Sequence, residues 1–324
     1  MMRVGLDTFT IRELGLDPFG QLDWIAEHGF EGAQFGRLDA DLGRMREIRR
    51  HADEKGLYSY VSVPSVNPHR SKGTASERRD QVRVAVERAA ECGWHELVTS
   101  LGGPDDRYES AVPWTTQLAD SAETLRSLAP VLRDHGSRIN VETHGDITTF
   151  ELVRLIESVG PDVVGVCLDT ANVLCFGEDP AAAAGRVAPY THTTHAKDAI
   201  VFFDDKGVCR QGRPPGQGVV DWERVLAVLA EHEPDLPLSI EDHKWLFSAE
   251  IFDPAWHEAQ PDLSRAELGE FVRLAWDCQR RIHSGELPDP EEYEAVPYAE
   301  QMEERLAFGR DYLQGLLDRL GLRA

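Results

Sequence analysis

Four strand-like runs in the second half of this sequence each end on a carboxylate or an imidazole. The runs cover residues 138–142, 163–169, 191–195 and 236–241, and they end on Glu142, Asp169, His195 and Glu241. Parallel strands carry their last side chains to one edge of a sheet, and four successive strands bring them to one point only if the sheet closes into a ring. The pattern therefore predicts a parallel barrel whose strand ends hold a cation.

The first half of the chain repeats this alternation of strand and helix. Further strand-like runs lie at residues 4–9, 32–36, 58–63 and 96–101. Asp-Pro pairs at 17–18 and 179–180 predict helix starts, because Asp caps a helix and Pro suits its first turn. Eight such units predict an α/β fold, a (β/α)8 or TIM barrel, over residues 1–287. An open doubly wound sheet is the alternative, but it more often carries a glycine-rich loop after its first strand, and residues 8–12 contain no glycine.

Three segments exceed what a minimal barrel needs. Residues 198–218 follow the seventh strand, residues 242–262 follow the eighth, and residues 288–324 form a C-terminal helical extension. Barrel active sites lie at the carboxyl ends of the strands, so the first two segments are predicted to be long loops that act as lids or substrate walls. The extension is expected to pack on the barrel or on a partner.

Composition excludes several functional classes. The formal net charge of −23 opposes binding to nucleic acid. No apolar run approaches the roughly 18 residues of a membrane span, and the opening Met-Met-Arg-Val-Gly-Leu-Asp is unlike a signal peptide. Five cysteines without a CxxC pair argue against a disulfide framework or a thiolate zinc site. We expect a cytoplasmic protein with no nucleic-acid or membrane partner.

The four strand-end side chains also indicate which cation would bind. Three carboxylates and one imidazole suit Mn²⁺, Mg²⁺, Co²⁺, Fe²⁺ or Zn²⁺. The oxygen-rich set favours Mn²⁺ as the preferred cofactor, with Mg²⁺, Co²⁺ and Zn²⁺ as alternatives. Acidic residues at strand ends also serve as helix caps, but caps do not explain four consecutive positions of which one is His195.

Five short strings across residues 141–242 carry a family resemblance. They are Val-Glu-Thr-His-Gly (141–145), Gly-Val-Cys-Leu-Asp-Thr-Ala-Asn (165–172), His-Ala-Lys-Asp (195–198), Pro-Gly-Gln-Gly-Val-Val-Asp-Trp (215–222) and Leu-Ser-Ile-Glu (238–241). Together they resemble the sugar phosphate isomerase/epimerase superfamily of xylose-isomerase-like TIM barrels. The resemblance implies that Glu142, Asp169, His195 and Glu241 are metal ligands. It also implies that Glu142 and Glu241 are catalytic, because the family's epimerases move the substrate proton with glutamates at these positions.

Other candidates surround this set. His144 lies two residues after Glu142, so an extended backbone points both side chains the same way, and His144 is either the general base or a residue that orients Glu142. His243 has the same offset from Glu241. Lys197 either pairs with Asp198 or stabilises an enolate oxygen. The residues expected to bind substrate are Asn172, Lys197, His243, Trp245 and Arg213.

The expected chemistry begins with proton removal next to a metal-bound carbonyl of an oxidised (keto) sugar. The first choice is a carbon–carbon lyase on 3-oxo-glycosides, since the chain also resembles the C-glycoside deglycosidase alpha subunits, which pair with a small beta subunit. Alternatives are a sugar isomerase or 3-epimerase on a free ketose, a 3-oxo sugar acid decarboxylase, an inosose-type dehydratase, or a sugar-binding regulatory barrel. A homo-oligomer is the alternative to the small subunit. No cluster of Lys and Arg is expected in the site, so a phosphate is not required and we expect an unphosphorylated sugar. Arg210 and Arg213 in the segment after the seventh strand could still bind a carboxylate or a phosphate.

Overall fold

Eight parallel strands form the centre of the molecule. The computed structural model describes residues 1–70 and 73–323. The barrel strands and three further strands are, in chain order, β1 (Val4–Asp7), β2 (Gly32–Phe35), β3 (Tyr58–Ser62), β4 (Glu96–Thr99), β5 (Arg138–Glu142), β6 (Val164–Asp169), β7 (Thr191–Ala196), β8 (Asp198–Phe203), β9 (Val208–Arg213), β10 (Leu238–Ile240) and β11 (Leu246–Ala249). β1 to β7 and β10 close into a barrel, because Leu6 of β1 pairs with both Ala33 of β2 and Ile240 of β10. The predicted (β/α)8 TIM barrel is confirmed.

Helices surround the barrel. They are α1 (Pro18–Glu27), α2 (Leu42–Glu54), α3 (Ala75–Glu91), α4 (Pro104–Tyr108), α5 (Trp114–Asp134), α6 (Thr149–Val159), α7 (Pro180–Val187), α8 (Trp222–His232), α9 (Pro254–Glu258), α10 (Arg265–His283), α11 (Pro290–Ala295) and α12 (Tyr298–Leu320). The expected caps form: Asp17 Oδ1 accepts from Gly20 N at 2.9 Å, and Asp179 Oδ1 accepts from Ala182 N at 2.8 Å. No helix among residues 1–70 and 73–323 is both long and apolar enough to cross a membrane.

The barrel interior is filled by side chains, and glycines make the space for the largest of them. The ring of Tyr58 lies against Gly5 and Gly32, and a Cβ at either glycine would overlap with it. The Tyr58 hydroxyl is 3.1 Å from Ser239 Oγ on the opposite side of the ring of strands. The missing side chains on β1 and β2 therefore allow one tyrosine to plug the barrel.

The two segments predicted as long loops pair with each other in a second sheet. β8 pairs antiparallel with β9, and β9 pairs antiparallel with β11. Helix α10 covers this sheet through Phe271 and Ala275, which pack with Val201 and Ala249 in a second apolar cluster. The loop between β9 and α8 is held by Asp198, whose carboxylate accepts hydrogen bonds from Ala199 N, Gly216 N, Val220 N and Trp222 Nε1. The predicted loops are thus ordered strands beside the barrel mouth.

The C-terminal segment packs on the barrel itself. α10 lies on β8, whereas α12 lies beside β1 and β10. Leu313, Leu316 and Leu317 of α12 are fully buried. Arg305 of the same helix donates to both carboxylate oxygens of Asp242 at 2.6 Å. α12 therefore occupies the wall position that closes the eighth unit.

Candidate metal centre and active site

The four strand-end side chains meet at the carboxyl end of the barrel. Glu142, Asp169, His195 and Glu241 come from the ends of β5, β6, β7 and β10, and their ligand atoms all lie within 4.8 Å of one another. All four residues are buried. His195 Nδ1 is 2.9 Å from Glu142 Oε1 and 3.1 Å from Glu241 Oε2. The arrangement can hold a metal ion.

Charge balance tests whether a divalent cation fits these residues. Glu142, Asp169 and Glu241 contribute three negative charges, and the Lys197 ammonium lies 2.8 Å from Asp169 Oδ2 and 2.7 Å from Glu241 Oε2. Three carboxylates against one ammonium leave two uncompensated negative charges, which is the charge of one divalent cation. Apart from this ion pair with Lys197, neither Asp169 Oδ2 nor Glu241 Oε2 accepts a hydrogen bond from the described residues. Buried charges of this kind are stable only when paired or when they coordinate a metal, so the site fits the cation.

Asp169 is both a cap and a candidate ligand. Its Oδ1 accepts from Ala171 N at 3.0 Å and from Asn172 N at 2.8 Å, which fixes the turn after β6. Its Oδ2 points to the cluster. The cap explanation therefore accounts for one oxygen and leaves the other for a cation.

Two residues that were not among the sequence-based candidates hold His195 in place. Gln34 on β2 contacts His195 Nε2 through its side-chain amide, and Asp7 Oδ2 at the end of β1 is 3.6 Å from the same nitrogen. Gln34 Oε1 is buried and has no hydrogen-bond partner in the amide orientation that places Nε2 against the imidazole. If the amide is turned so that Oε1 faces His195, the oxygen accepts from His195 Nε2–H. Nδ1 of the neutral imidazole is then the nitrogen left to bind a cation beside the carboxylates. Burial raises the pKa of Asp7 to about 7. The only sequence signal for Asp7 was its place at a strand end, shared with the four ligands.

Lys197 belongs to the cluster rather than to the following loop. Its ammonium also donates to His243 Nε2 at 3.2 Å, in addition to its two carboxylate partners. Asp198 points the other way, toward Gly216 and Trp222. The expected pairing of Lys197 with Asp198 was therefore wrong.

His144 and His243 lie near the cluster in different chemical states. His144 Nδ1 donates to the Gly102 carbonyl at 3.0 Å, so Nε2 of the neutral imidazole carries no hydrogen, and the neighbouring Glu142 carboxylate raises the pKa of this imidazole, which makes it a stronger base. Burial and the Lys197 ammonium lower the pKa of His243 to about 3, so His243 is neutral and accepts through Nε2. The two histidines have the same spacing from a glutamate, but His144 Nε2 is free, whereas His243 Nε2 accepts from Lys197.

An aromatic wall extends outward from His243. The Phe9 ring meets the His243 ring edge-on at 5.7 Å, and Trp245 stands 6.4 Å from His243 and 5.8 Å from Phe247. Trp245 and Phe247 line a cavity of about 820 Å³ together with Tyr108 and Trp256. Such faces suit the apolar side of a sugar ring or an aromatic group.

The remaining predicted substrate contacts are placed unequally. Asn172 is buried beside Asp169, and its side-chain Oδ1 has no donor among the described residues. Arg213 stacks on Tyr293 of α11 at 3.3 Å and donates to Gln211 Oε1 at 2.7 Å, so its described contacts lie with the C-terminal segment. Arg210, on the same strand, lies over the Trp245 ring at 5.2 Å and has a buried Nη2 without a described partner. Arg213 Nη1 is likewise buried without a described partner, so the two guanidinium groups differ in that Arg210 contacts the aromatic wall and Arg213 the C-terminal segment.

A second cavity connects the cluster to basic side chains. It measures about 430 Å³, and its lining includes Glu142 and His195 as well as Arg37, Arg70 and Arg78. We expected no cluster of basic residues in the site, and this expectation was wrong. The arginines come from the two segments that follow β2 and β3, and only the fold brings them together.

Several known proteins are similar to this chain in sequence or in fold. The chain is 27% identical over 226 residues to the uncharacterized protein YihM of Escherichia coli (strain K12), and the match covers 68% of this chain but only 65% of that relative, less than two thirds of its length. The D-psicose 3-epimerase of Clostridium cellulolyticum H10, solved with D-tagatose, superposes with a TM-score of 0.63 at 15% identity, covering 87% of this chain and 99% of the epimerase. The 3-keto-D-glucoside 4-epimerase YcjR of E. coli superposes with a TM-score of 0.56 at 16% identity, covering 84% and 100%. Residues 22–267 match the model of the xylose isomerase-like TIM barrel family, and the chain belongs to that family.

Proposed function

We propose that this chain is a divalent-metal-dependent enzyme that enolises a keto sugar. The observation that carries the proposal is a buried four-ligand cluster, short of two positive charges, beside one imidazole with a free nitrogen. Glu142, Asp169, His195 and Glu241 would hold the cation, Mn²⁺ by preference. When bound, it would polarise the substrate carbonyl and lower the energy of the enolate charge.

His144 is the proposed base. Its Nδ1–H is held by the Gly102 carbonyl, so Nε2 is the atom that takes the proton from the carbon next to the carbonyl. Gly102 is itself fixed, because its N–H donates to Asp146 Oδ2 at 2.5 Å while Asp146 Oδ1 accepts from His144 N at 3.3 Å. Asp146 therefore joins the base and its support into one rigid unit.

The proposed reaction after enolisation is carbon–carbon cleavage of a 3-oxo-glycoside. His144 takes the proton from C2, the electron pair forms the C1=C2 double bond, and the C1–carbon bond to the aglycone breaks with a proton returned to the aglycone carbon. One base suffices for this reaction, and Glu241, the other proposed proton carrier, is engaged by Lys197 at 2.7 Å. The aromatic wall of Trp245 and Phe247 offers a surface for the aglycone. A small beta subunit would complete the site at this mouth.

Epimerisation is the second candidate. YcjR is named as acting on a 3-keto-D-glucoside, and other neighbours of the same fold are named as 3-epimerases. Glu142 Oε1 and Glu241 Oε2 lie 2.9 and 3.1 Å from His195 Nδ1, so two carboxylates are available for the two proton transfers that an epimerisation needs. An isomerase, a sugar acid decarboxylase or a dehydratase would share the first step.

Solvent deuterium exchange separates these alternatives. The protein with Mn²⁺ is incubated in D₂O with 3-oxo-glycosides and free ketoses, and label and aglycone are followed by NMR and mass spectrometry. Label without cleavage supports an epimerase or isomerase, and aglycone release supports the lyase. His144→Gln should slow exchange by about 100- to 10,000-fold, whereas His283→Gln, an exposed position on α10, should leave it unchanged. Undiminished exchange in His144→Gln would assign the base to another group, and absence of exchange with every sugar would refute the proposal.

A further inference from the structure

Three arginines line one cavity together with two residues of the candidate metal centre. Arg37 follows β2, Arg70 lies in the short turn of 3-10 helix after β3, and Arg78 is in the first turn of α3. Glu142 and His195 line the same space. A volume of about 430 Å³ lies within the range of ~300–1,000 Å³ that is usual for small-molecule sites. One ligand can therefore contact both the arginines and the candidate metal ligands.

These arginines lack the partners that most of this acidic chain would provide. Among residues 1–70 and 73–323, Arg37 and Arg78 form no ion pair, and the pair of Arg70 with Asp106 is long, at 3.9 Å. Surface arginines elsewhere pair closely, as Arg133 does with Asp162 at 2.6 Å. With a net charge of −23, a group of unneutralised guanidinium groups is a local exception. It marks a place where negative charge is expected from outside the chain.

The three groups also act on one another. Arg78 Nε is buried and has no hydrogen-bond partner among the described residues, while Arg70 Nη1 donates to Ser100 Oγ at 2.8 Å. Burial, followed by repulsion from Arg37 and Arg70, lowers the pKa of Arg78. The cluster is therefore held together by the fold against its own electrostatic repulsion, and an oxyanion placed between the groups would remove that repulsion.

We propose that the substrate is an anionic keto sugar whose phosphate or carboxylate group binds Arg37, Arg70 and Arg78 while its carbonyl end faces Glu142 and His195. Guanidinium groups bind both kinds of oxyanion through paired, charge-assisted hydrogen bonds. This inference rests on the proposed function for the carbonyl end, but the oxyanion end stands on the arginine cluster alone. Binding of the oxyanion by the arginines would determine which end of the sugar faces the candidate metal centre. The proposed anionic substrate takes the place of the unphosphorylated sugar expected from the sequence.

Binding of inorganic phosphate tests the arginine cluster without turnover. Phosphate is titrated calorimetrically into the full-length protein, as purified and after loading with Mn²⁺. The wild type should bind it, and the double variant Arg37→Gln/Arg78→Gln should bind it roughly 10- to 100-fold more weakly. Neither arginine forms an ion pair among the described residues, so the variant should melt like the wild type. The control double variant Arg126→Gln/Arg133→Gln also removes two positive charges, both from exposed positions on α5, and should bind phosphate normally.

Exchange kinetics then identify the anion. A neutral 3-oxo-hexose, its 6-phosphate and its 6-carboxylate are compared for α-proton exchange, and the preferred anionic form should lose its advantage in the double variant through KM, with kcat retained. Equal kcat/KM for all three sugars, or equal phosphate binding by the double variant, would overturn the inference while leaving enolisation intact. Phosphate binding through the arginines without exchange on any sugar would instead support the oxyanion site and refute the proposed reaction.

Discussion

Removing the Lys197 ammonium should make the stability of the protein depend on its cation. Lys197 is 2% exposed and contacts Asp169 at 2.8 Å and Glu241 at 2.7 Å. Lys197→Met keeps the length of the side chain but leaves three carboxylates with no positive partner among them. Deleting one partner of a buried ion pair costs about 3–5 kcal/mol, because the other charge stays buried and unpaired.

This cost converts into a measurable change in melting temperature. At roughly 2.1 cal/mol/K per residue, a chain of 324 residues has an unfolding entropy of about 0.7 kcal/mol/K, so the metal-free variant should melt about 4–7 °C below the metal-free wild type. Mn²⁺ should then raise the Tm of the variant by more than that of the wild type, because binding stabilises the folded state and meets one more uncompensated charge there. The assay is differential scanning calorimetry in EDTA and in excess Mn²⁺.

The control is Lys206→Met. Lys206 pairs with Glu250 at 3.1 Å at the protein surface, where 62% of the lysine side chain is exposed, and its loss should leave both melting temperatures unchanged. Two results would refute the charge count behind the proposed metal site. One is that Lys197→Met melts at the same temperature as the wild type in EDTA, and the other is that Mn²⁺ raises the Tm of Lys197→Met and of the wild type by the same amount.

Three further changes test the fold that supports the site. Asp198→Asn should lower the free energy of unfolding by about 3 kcal/mol, because the amide NH2 group cannot accept from two of the four donors around the side chain. An unchanged urea midpoint would contradict the role of Asp198 in holding the loop before α8. Gly32→Ala should destabilise the barrel by about 2–3 kcal/mol through overlap with Tyr58, whereas Gly269→Ala in α10, where a Cβ meets nothing within 4 Å, should stabilise it by roughly 1 kcal/mol. Equal effects of the two alanines would argue against the plug. Burial, followed by the charge of Arg138, lowers the pKa of His192 from 6.5 to about 4. The folded state therefore binds fewer protons than the unfolded state, and stability should fall as the pH drops from 6.5 toward 4. His192→Gln should flatten the dependence of the urea midpoint on pH in this range, and an unchanged slope would contradict the lowered pKa of His192.

The eight strands and the clustering of the four candidate ligands were predictable because both depend on local pattern. Runs such as 138–142 and 163–169 combine β-branched residues with a terminal carboxylate, and parallel pairing then brings the ends together. The second sheet was missed because β9, Val-Cys-Arg-Gln-Gly-Arg, is as polar as a loop. Its arginines are buried only because distant rings cover them, Trp245 over Arg210 at 5.2 Å and Tyr293 over Arg213 at 3.3 Å.

The surroundings of the ligands depended on three-dimensional contacts that no spacing encodes. Gln34 reaches His195 across 161 positions of sequence, and Arg37 and Arg78 meet only because β2 and β3 are neighbours. His144 and His243 share one offset from a glutamate, but a carbonyl at Gly102 and an ammonium at Lys197 give them opposite roles. Sequence therefore indicated the kind of chemistry, while the choice among the flanking groups required the fold.

The ion pair between Arg305 and Asp242 makes the barrel mouth depend on a helix that carries none of the candidate ligands. Glu142, Asp169 and His195 lie on paired neighbouring strands, whereas Glu241 directly precedes a residue that is anchored by Arg305 of α12. A chain cut short before α12 would lose this anchor and leave the buried Asp242 carboxylate without its guanidinium partner. We therefore expect such a truncation to displace Glu241 from the candidate metal centre and to leave the barrel mouth more strongly anionic.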